Sequence, residues 1–296
     1  RERGRADLRR LAGQWLSAAL ADRRPIVFPD SRRADTRSHP FGRLGLHWLA
    51  ACLRSGARRR HAVMSLARAC TRGDVELMEG DAGRLVAGSI VVSGDDDGLR
   101  HKLDNLAEGL LKKWFLRARR RWHPIDATNI AHGWLGVAYA LLRSRVALPD
   151  RFVASLSKLA STWRIDVVSR ADMRASWCTG AAGTAMAWAA AFERTHDSTF
   201  LARANDAASA AYDLSDGTRT HLCCGMGGVA YALLAMERVD PGRGWREKAR
   251  ELGARAIQTP LRSQWPNGLL WGHPGLVCLA LDLMSDEPRG FPLIED

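Results

Sequence analysis

A Gly-x-x-Gly step followed by an apolar stretch recurs along the chain, and this repeat limits what the chain can fold into. The pairs are Gly42–Gly45, Gly80–Gly83, Gly133–Gly136, Gly180–Gly183, Gly225–Gly228 and Gly272–Gly275. Their first glycines stand 38, 53, 47, 45 and 47 residues apart. Most lead into alanine- and leucine-rich runs such as 137–142, 229–234 and 276–283; the second copy is weaker. Between them lie amphipathic stretches of helical period at roughly 5–20, 57–71, 101–119, 151–163, 199–213 and 245–257. The unit is an outer amphipathic helix, a loop, a glycine turn and an inner apolar helix. An inner helix that is apolar nearly all round is buried on most sides. About six such hairpins imply an all-α chain closed into an α/α toroid. An open solenoid would carry polar capping repeats at its ends, and none is visible. Each glycine turn is expected to let backbones approach and to permit unusual φ values. Ring closure then gathers the turns at one end, where the residues before each pair rim a shared cavity.

That ruler picks out three sulfurs. Cys178 stands two residues before Gly180 and Cys223 two before Gly225, with Cys224 adjacent. Three thiolates on a tetrahedral zinc leave one position open, the pattern of a catalytic site. His221, four before Gly225, is an alternative fourth ligand that would close the site. Cys52, Cys70 and Cys278 lie within apolar helical runs and read as small buried hydrophobes. His132, Arg174 and Glu76 stand one, six and four residues before their glycines, so they are expected at the same mouth. A zinc centre of this kind would strip the proton from an entering thiol and leave the thiolate electron-rich. An imidazole shuttles protons near neutral pH, and a guanidinium steadies an oxyanion. The plainer roles stay open beside these: a cap for His132, a salt bridge for Arg174, a solvated carboxylate for Glu76. Trp134, Trp177 and Trp271 lie at glycine turns and are read either as cavity walls or as packing.

Composition narrows the partners. No apolar run reaches the roughly 20 residues of a membrane span, and no secretory signal is visible. The net charge is +12, mostly arginine. The runs Arg58-Arg59-Arg60 and Arg119-Arg120-Arg121 carry no nucleic-acid motif, so an acidic peptide is the better partner. Six cysteines in 296 residues do not make a disulfide scaffold, and a reducing cytoplasm is expected. Residues 1–296 read as one domain, and a start at Arg1 rather than Met suggests one excised from a longer protein.

The segments Ala131-His132-Gly133-Trp134-Leu135-Gly136, Trp177-Cys178-Thr179-Gly180 and Cys223-Cys224-Gly225, with the closing Gly290-Phe291-Pro292-Leu293, resemble the lanthionine synthetase C-like cyclases. The resemblance runs from about Phe41 to the C-terminus. It implies an α/α toroid of six to seven hairpins with a central zinc, held by Cys178, Cys223 and Cys224. Cys224 replaces the histidine of most members, as in the three-cysteine subset of bifunctional synthetases. The implied activity adds a peptide cysteine thiol to dehydroalanine or dehydrobutyrine, forming a thioether ring. The implied partners are a dehydrated precursor peptide with an acidic leader and a dehydratase domain or protein. His132 matches a proton-transfer histidine, Arg174 a rim arginine, and Glu76 stands where an aspartate base is usual. A non-catalytic zinc module that holds a thiol or peptide is the alternative. A glycosidase or lyase of the same architecture needs paired rim carboxylates, and beyond Glu76 and Glu79 the rim is poor in them.

Overall fold

The regular elements of the described residues are all helices, and among the described residues the only β feature is a single bridge between Arg219 and Gly225. The computed structural model describes residues 2–21, 43–69, 75–92, 96–118, 129–164, 168, 170–216, 219–288 and 290–295. Cys70, the loop from Pro25 to Pro40 and the run Arg119-Arg120-Arg121 lie outside them. The described residues fall into two compact units, Arg1–Leu110 with Ser144–Val146, and Leu111–Arg143 with Ala147–Asp296. No described helix is long and apolar enough to cross a membrane.

In the first unit α1 (Glu2–Ala21) packs on α2 (Arg43–Leu53), and α2 packs on α3 (Gly56–Ala69) and α4 (Asp81–Val91). The long α5 (Asp97–Ala118) begins here and ends in the second unit. The second unit holds α6 (Trp134–Arg143), α7 (Asp150–Thr162), a 3₁₀ turn (Ala171–Met173), α8 (Ala181–Thr195), α9 (Ser198–Asp213), α10 (Met226–Val239), α11 (Trp245–Gln258) and α12 (His273–Leu283). Inner helices neighbour one another in chain order: α6 touches α8, α8 touches α10, α10 touches α12. Outer helices back them, α9 against α8 and α10, α11 against α10 and α12.

Sequence dictates these two rows. The outer helices bury the same register: Phe152, Leu156, Leu159 and Ala160 in α7, Phe200, Ala204, Ala207 and Ala208 in α9, Trp245, Ala249, Leu252 and Gly253 in α11. That i, i+4, i+7, i+8 stripe gives each outer helix one apolar face. The inner helices bury nearly every residue; α8 is closed from Ala181 through Ala191. Its alanines let helix axes approach, while Trp188 stacks on Phe200 of α9 at 6.0 Å between ring centroids.

The C-terminal residues finish the core of the second unit. Phe291 stacks on Trp177 at 4.5 Å and leans on Tyr231 at 5.4 Å. Glu295 accepts from the Phe291 N–H (2.9 Å) and from Arg238 of α10 (2.6 Å). Arg143 of α6 donates to Glu193 of α8 at 2.9 Å, and Tyr139 of α6 donates to the Ile294 carbonyl at 3.4 Å. Two inner helices, α6 and α10, are thereby tied to the last six described residues, and α8 is tied to α6.

Candidate metal centre

Three of the glycine turns are shaped by a carbonyl six residues upstream. A Cβ on Gly180 would lie 2.3 Å from the Arg174 carbonyl oxygen, one on Gly225 2.2 Å from that of Arg219, and one on Gly272 2.3 Å from that of Pro266. The second glycines repeat this: Gly183 against Trp177, Gly228 against Leu222 and Gly275 against Leu269, at 2.0, 2.0 and 2.1 Å. No residue with a side chain fits such contacts. The expectation of unusual φ values is corrected: Gly80, Gly180, Gly225 and Gly272 hold φ of −108°, −110°, −130° and −127°, ordinary extended backbone. Room, not conformational freedom, selects glycine here.

The same wrap places the first helical N–H on a carbonyl seven residues back. Ala181 donates to Arg174, Met226 to Arg219 and His273 to Pro266, at 2.7 to 2.8 Å, and in the first unit the second helical N–H, of Ala82, donates to Val75 at 3.2 Å. Successive turns of the second unit are then stitched side by side. The Ala131 N–H donates to the Cys178 carbonyl (3.1 Å), Cys178 to Cys223 (3.2 Å) and Cys223 to Leu270 (3.0 Å). Every member of that chain stands two residues before its glycine, so equivalent positions face one another across the repeats.

This register brings the sulfurs together. The Sγ atoms of Cys178, Cys223 and Cys224 all lie within 4.8 Å of one another, and all three residues are buried. Cys178 Sγ stands 3.5 Å from Cys224 Sγ, which stands 3.3 Å from Cys223 Sγ. A tetrahedral zinc with Zn–S of about 2.3 Å sets its sulfurs about 3.8 Å apart, so this trio fits such an ion. All three are free thiols. Hydrogen bonds from Cys223 and Cys224 push the Cys178 thiol well down, while the hydrogen bond with Cys178 pushes Cys223 well up and Cys224 up to about 12. Three sulfurs competing for protons in one buried spot are the environment that a divalent cation relieves. Ser176 supports the trio: its Oγ lies 3.6 Å from Cys178 Sγ and accepts the Thr179 N–H at 3.3 Å. It is 1% exposed and was not singled out in the sequence.

At four of the glycine turns the position four residues before the glycine has a shared role that the sequence hides. There Glu76, Asn129, Ser176 and His221 each accept the N–H three residues on, from Glu79, His132, Thr179 and Cys224. They are turn caps of four different chemistries. His221 spends Nδ1 on this bond and stands outside the sulfur cluster. Burial first, and the Arg219 charge second, push its pKa down to about 4, so its ring is neutral around pH 7. Glu76 belongs to the first unit, where its other oxygen accepts the Met78 N–H. His132 is exposed and adjoins Ala131, whose N–H holds the Cys178 turn. Arg174 is half-buried and donates from Nε to the Val168 carbonyl at 3.0 Å.

Other expectations divide. Trp177 is core, 1% exposed under Phe291; Trp134 meets Trp114 edge-on, and Trp271 meets Trp265. Cys52 is exposed and Cys278 half-buried, correcting their reading as buried hydrophobes. Both sit on helices that bury one face rather than all round.

The family model described as "Lanthionine synthetase C-like protein" matches residues 62–295. The structure is similar to a solved one, "Nisin cyclase", with a TM-score of 0.58 and 13% identity, covering 96% of this chain and 82% of that one. At that identity the likeness carries the fold, an α/α toroid, as expected from the repeat. No curated protein sequence matches the chain.

Proposed function

The chain belongs to the lanthionine synthetase C-like family, and from that premise we propose that it is a zinc-dependent cyclase acting on a dehydrated precursor peptide. It would add peptide cysteine thiols to dehydroalanine or dehydrobutyrine and so close (methyl)lanthionine rings. The observation that carries this reading is the buried trio of Cys178, Cys223 and Cys224, with all Sγ atoms within 4.8 Å. Bound there, zinc supplies the Lewis acidity that keeps an incoming thiol deprotonated at neutral pH.

The chain's own residues do the rest. Cys178, Cys223 and Cys224 would hold the centre, and Ser176 Oγ, 3.6 Å from Cys178 Sγ, would orient the first of them. The substrate sulfur bonds to the β-carbon, and the C=C electron pair moves toward the acceptor carbonyl. Arg174 orients that carbonyl with the donors its bond to Val168 does not use. His132, exposed beside the Cys178 turn, returns a proton to the α-carbon. The net charge of +12 suits an acidic leader, and the fold neighbour bears a cyclase's name. The three free thiols suit a reducing compartment such as the cytoplasm.

Cys178→Ala tests the reading. Zinc per chain, and ring closure scored by the mass shift after thiol alkylation of a dehydrated peptide, are both expected to be lost. Full ring closure by that variant refutes the metal role, and retained peptide affinity with unconsumed thiols in the parent chain indicates a binding module. For Glu76 the resemblance implies proton transfer while its hydrogen bonds make it a cap. Glu76→Gln bears on both, because the amide oxygen keeps one of the two turn N–H groups, loses the other and carries no titratable proton. Proton transfer predicts a closure rate lower by about tenfold or more with only a small fall in Tm, and a rate equal to the parent leaves Glu76 a cap alone.

A further inference from the structure

Arg174 has a counterpart one repeat on. Arg219 stands, like Arg174, six residues before its glycine. Both carbonyls accept the first helical N–H at 2.7 Å. Two adjacent loops thus each carry an arginine at this position, side by side because their cysteine positions are joined by the Cys178 N–H to Cys223 carbonyl bond. The two side chains then diverge. Arg174 is drawn back to Val168 in its own loop. Arg219 reaches across to Asp172 of the 3₁₀ turn, Nη2 to Oδ2 at 3.8 Å. Arg170 grips the same carboxylate with Nε at 3.2 Å and Nη2 at 2.7 Å.

A carboxylate between two guanidiniums leaves one positive charge over. The side chains of Arg170 and Arg219 are 64% and 53% exposed, within reach of a ligand. The group borders the sulfur turns: Arg219 is bridged by its backbone to Gly225, the neighbour of Cys224, and Asp172 lies on the loop that leads into Cys178. Three thiolates and a divalent cation sum to about −1, and an entering thiolate takes this to about −2. A cationic pair beside them is complementary to that charge. Arg219 enters an ion pair with Asp172 and forms no hydrogen bond through its guanidinium among the described residues, so its planar fork of donors is available to an oxygen ligand.

We propose that Arg219, steered by Asp172 and Arg170, donates to the carbonyl oxygen of the dehydroamino acid at this site, as a second substrate-contacting arginine beside Arg174. The proposal rests on the ring-closing reading above. As the sulfur–carbon bond forms and the C=C π bond breaks, its electron pair shifts onto that oxygen, where the Arg219 N–H groups meet the charge. Protonation of the α-carbon, by the proton the thiol gave up, restores the neutral carbonyl and completes the thioether. Asp172 and Arg170 are positioning residues: they hold the guanidinium of Arg219 and touch no reacting atom.

The test uses the zinc-loaded full chain and a synthetic peptide with one cysteine and one dehydroalanine, in single turnover at several peptide concentrations. Arg219→Gln is expected to slow closure at saturating peptide by about tenfold or more, with half-saturation changed less than about threefold and with zinc per chain and Tm as in the parent. Arg219→Lys, which keeps the charge without the fork, is expected to recover part of the loss, and Asp172→Asn to show a smaller loss. Closure by Arg219→Gln at the parent rate, or a change in half-saturation alone, overturns the role of Arg219 and leaves the cyclase reading standing. Loss of zinc or of Tm in both Arg219 variants overturns it in favour of a structural role. A zinc-loaded parent that closes no ring overturns the cyclase reading, and this role with it.

Discussion

A methyl group on Gly228 would lie 2.0 Å from the Leu222 carbonyl oxygen and 3.0 Å from Trp177 Cβ. Neither neighbour is the free end of a flexible side chain, so the backbone itself must yield. Gly228→Ala is expected to cost roughly 3 kcal/mol, in the range of overpacked cores, and to loosen the turn that carries Cys223 and Cys224. Gly109 in α5 is the contrast, with nothing within 4 Å of a Cβ. Gly109→Ala is expected to stabilise the chain by about 0.5–1 kcal/mol through helix propensity alone. Urea unfolding with an unchanged m-value reads both. The glycines mark the turns in the sequence because their spacing is visible there. Their cause is not visible, since a carbonyl six residues upstream is a backbone contact that leaves no residue-type signal. The caps show the same limit. Glu76, Asn129, Ser176 and His221 share one hydrogen bond but no chemistry, so no residue-type signal in the sequence marks the cap they have in common.

At the scale of elements, helical period was enough to find the rows. The amphipathic stretches at 151–163, 199–213 and 245–257 became α7, α9 and α11 to within a residue or two. The cysteine trio was legible for the same reason, because equal offsets from equivalent turns put side chains at equal places. The C-terminal segment was legible only as a resemblance. Its packing joins residues more than a hundred apart, such as Tyr139 and Ile294, and no local pattern encodes that. Glu295 has only 4% of its side chain exposed and bonds Arg238 at 2.6 Å. Glu295→Gln removes the charge that faces Arg238 while keeping its shape. The expected cost is about 1–3 kcal/mol, below that of breaking a fully buried pair because Arg238 is 30% exposed. Phe291→Ala is expected to cost more, about 3–5 kcal/mol, because it strips the ring from both Trp177 and Tyr231. Thermal unfolding ranks the two; an alanine variant as stable as the parent would deny that the segment belongs to the core.

For the molecule as a whole, the ionisable groups in the core of the second unit set an alkaline limit. Burial raises the pKa of Tyr231, helped by the Asp282 charge and the hydrogen bond to it at 2.8 Å. Burial also raises Tyr139, with Glu295 next in effect. A phenol whose folded pKa lies above its unfolded value of about 10 stabilises the fold fully below that pH. The contribution drains away as pH rises, because the unfolded chain then releases a proton that the folded one keeps. Each such tyrosine steepens the loss by up to about 1.4 kcal/mol per pH unit above pH 10. Tyr231→Phe removes one titration and leaves the ring against Phe291. It is expected to be less stable than the parent at pH 8, where the Asp282 bond is lost, and to lose stability less steeply from pH 10 to 11. Urea midpoints across that range read the slopes. Parallel slopes would mean that Tyr231 ionises alike in the folded and unfolded chain, which its burial and the neighbouring carboxylate do not allow.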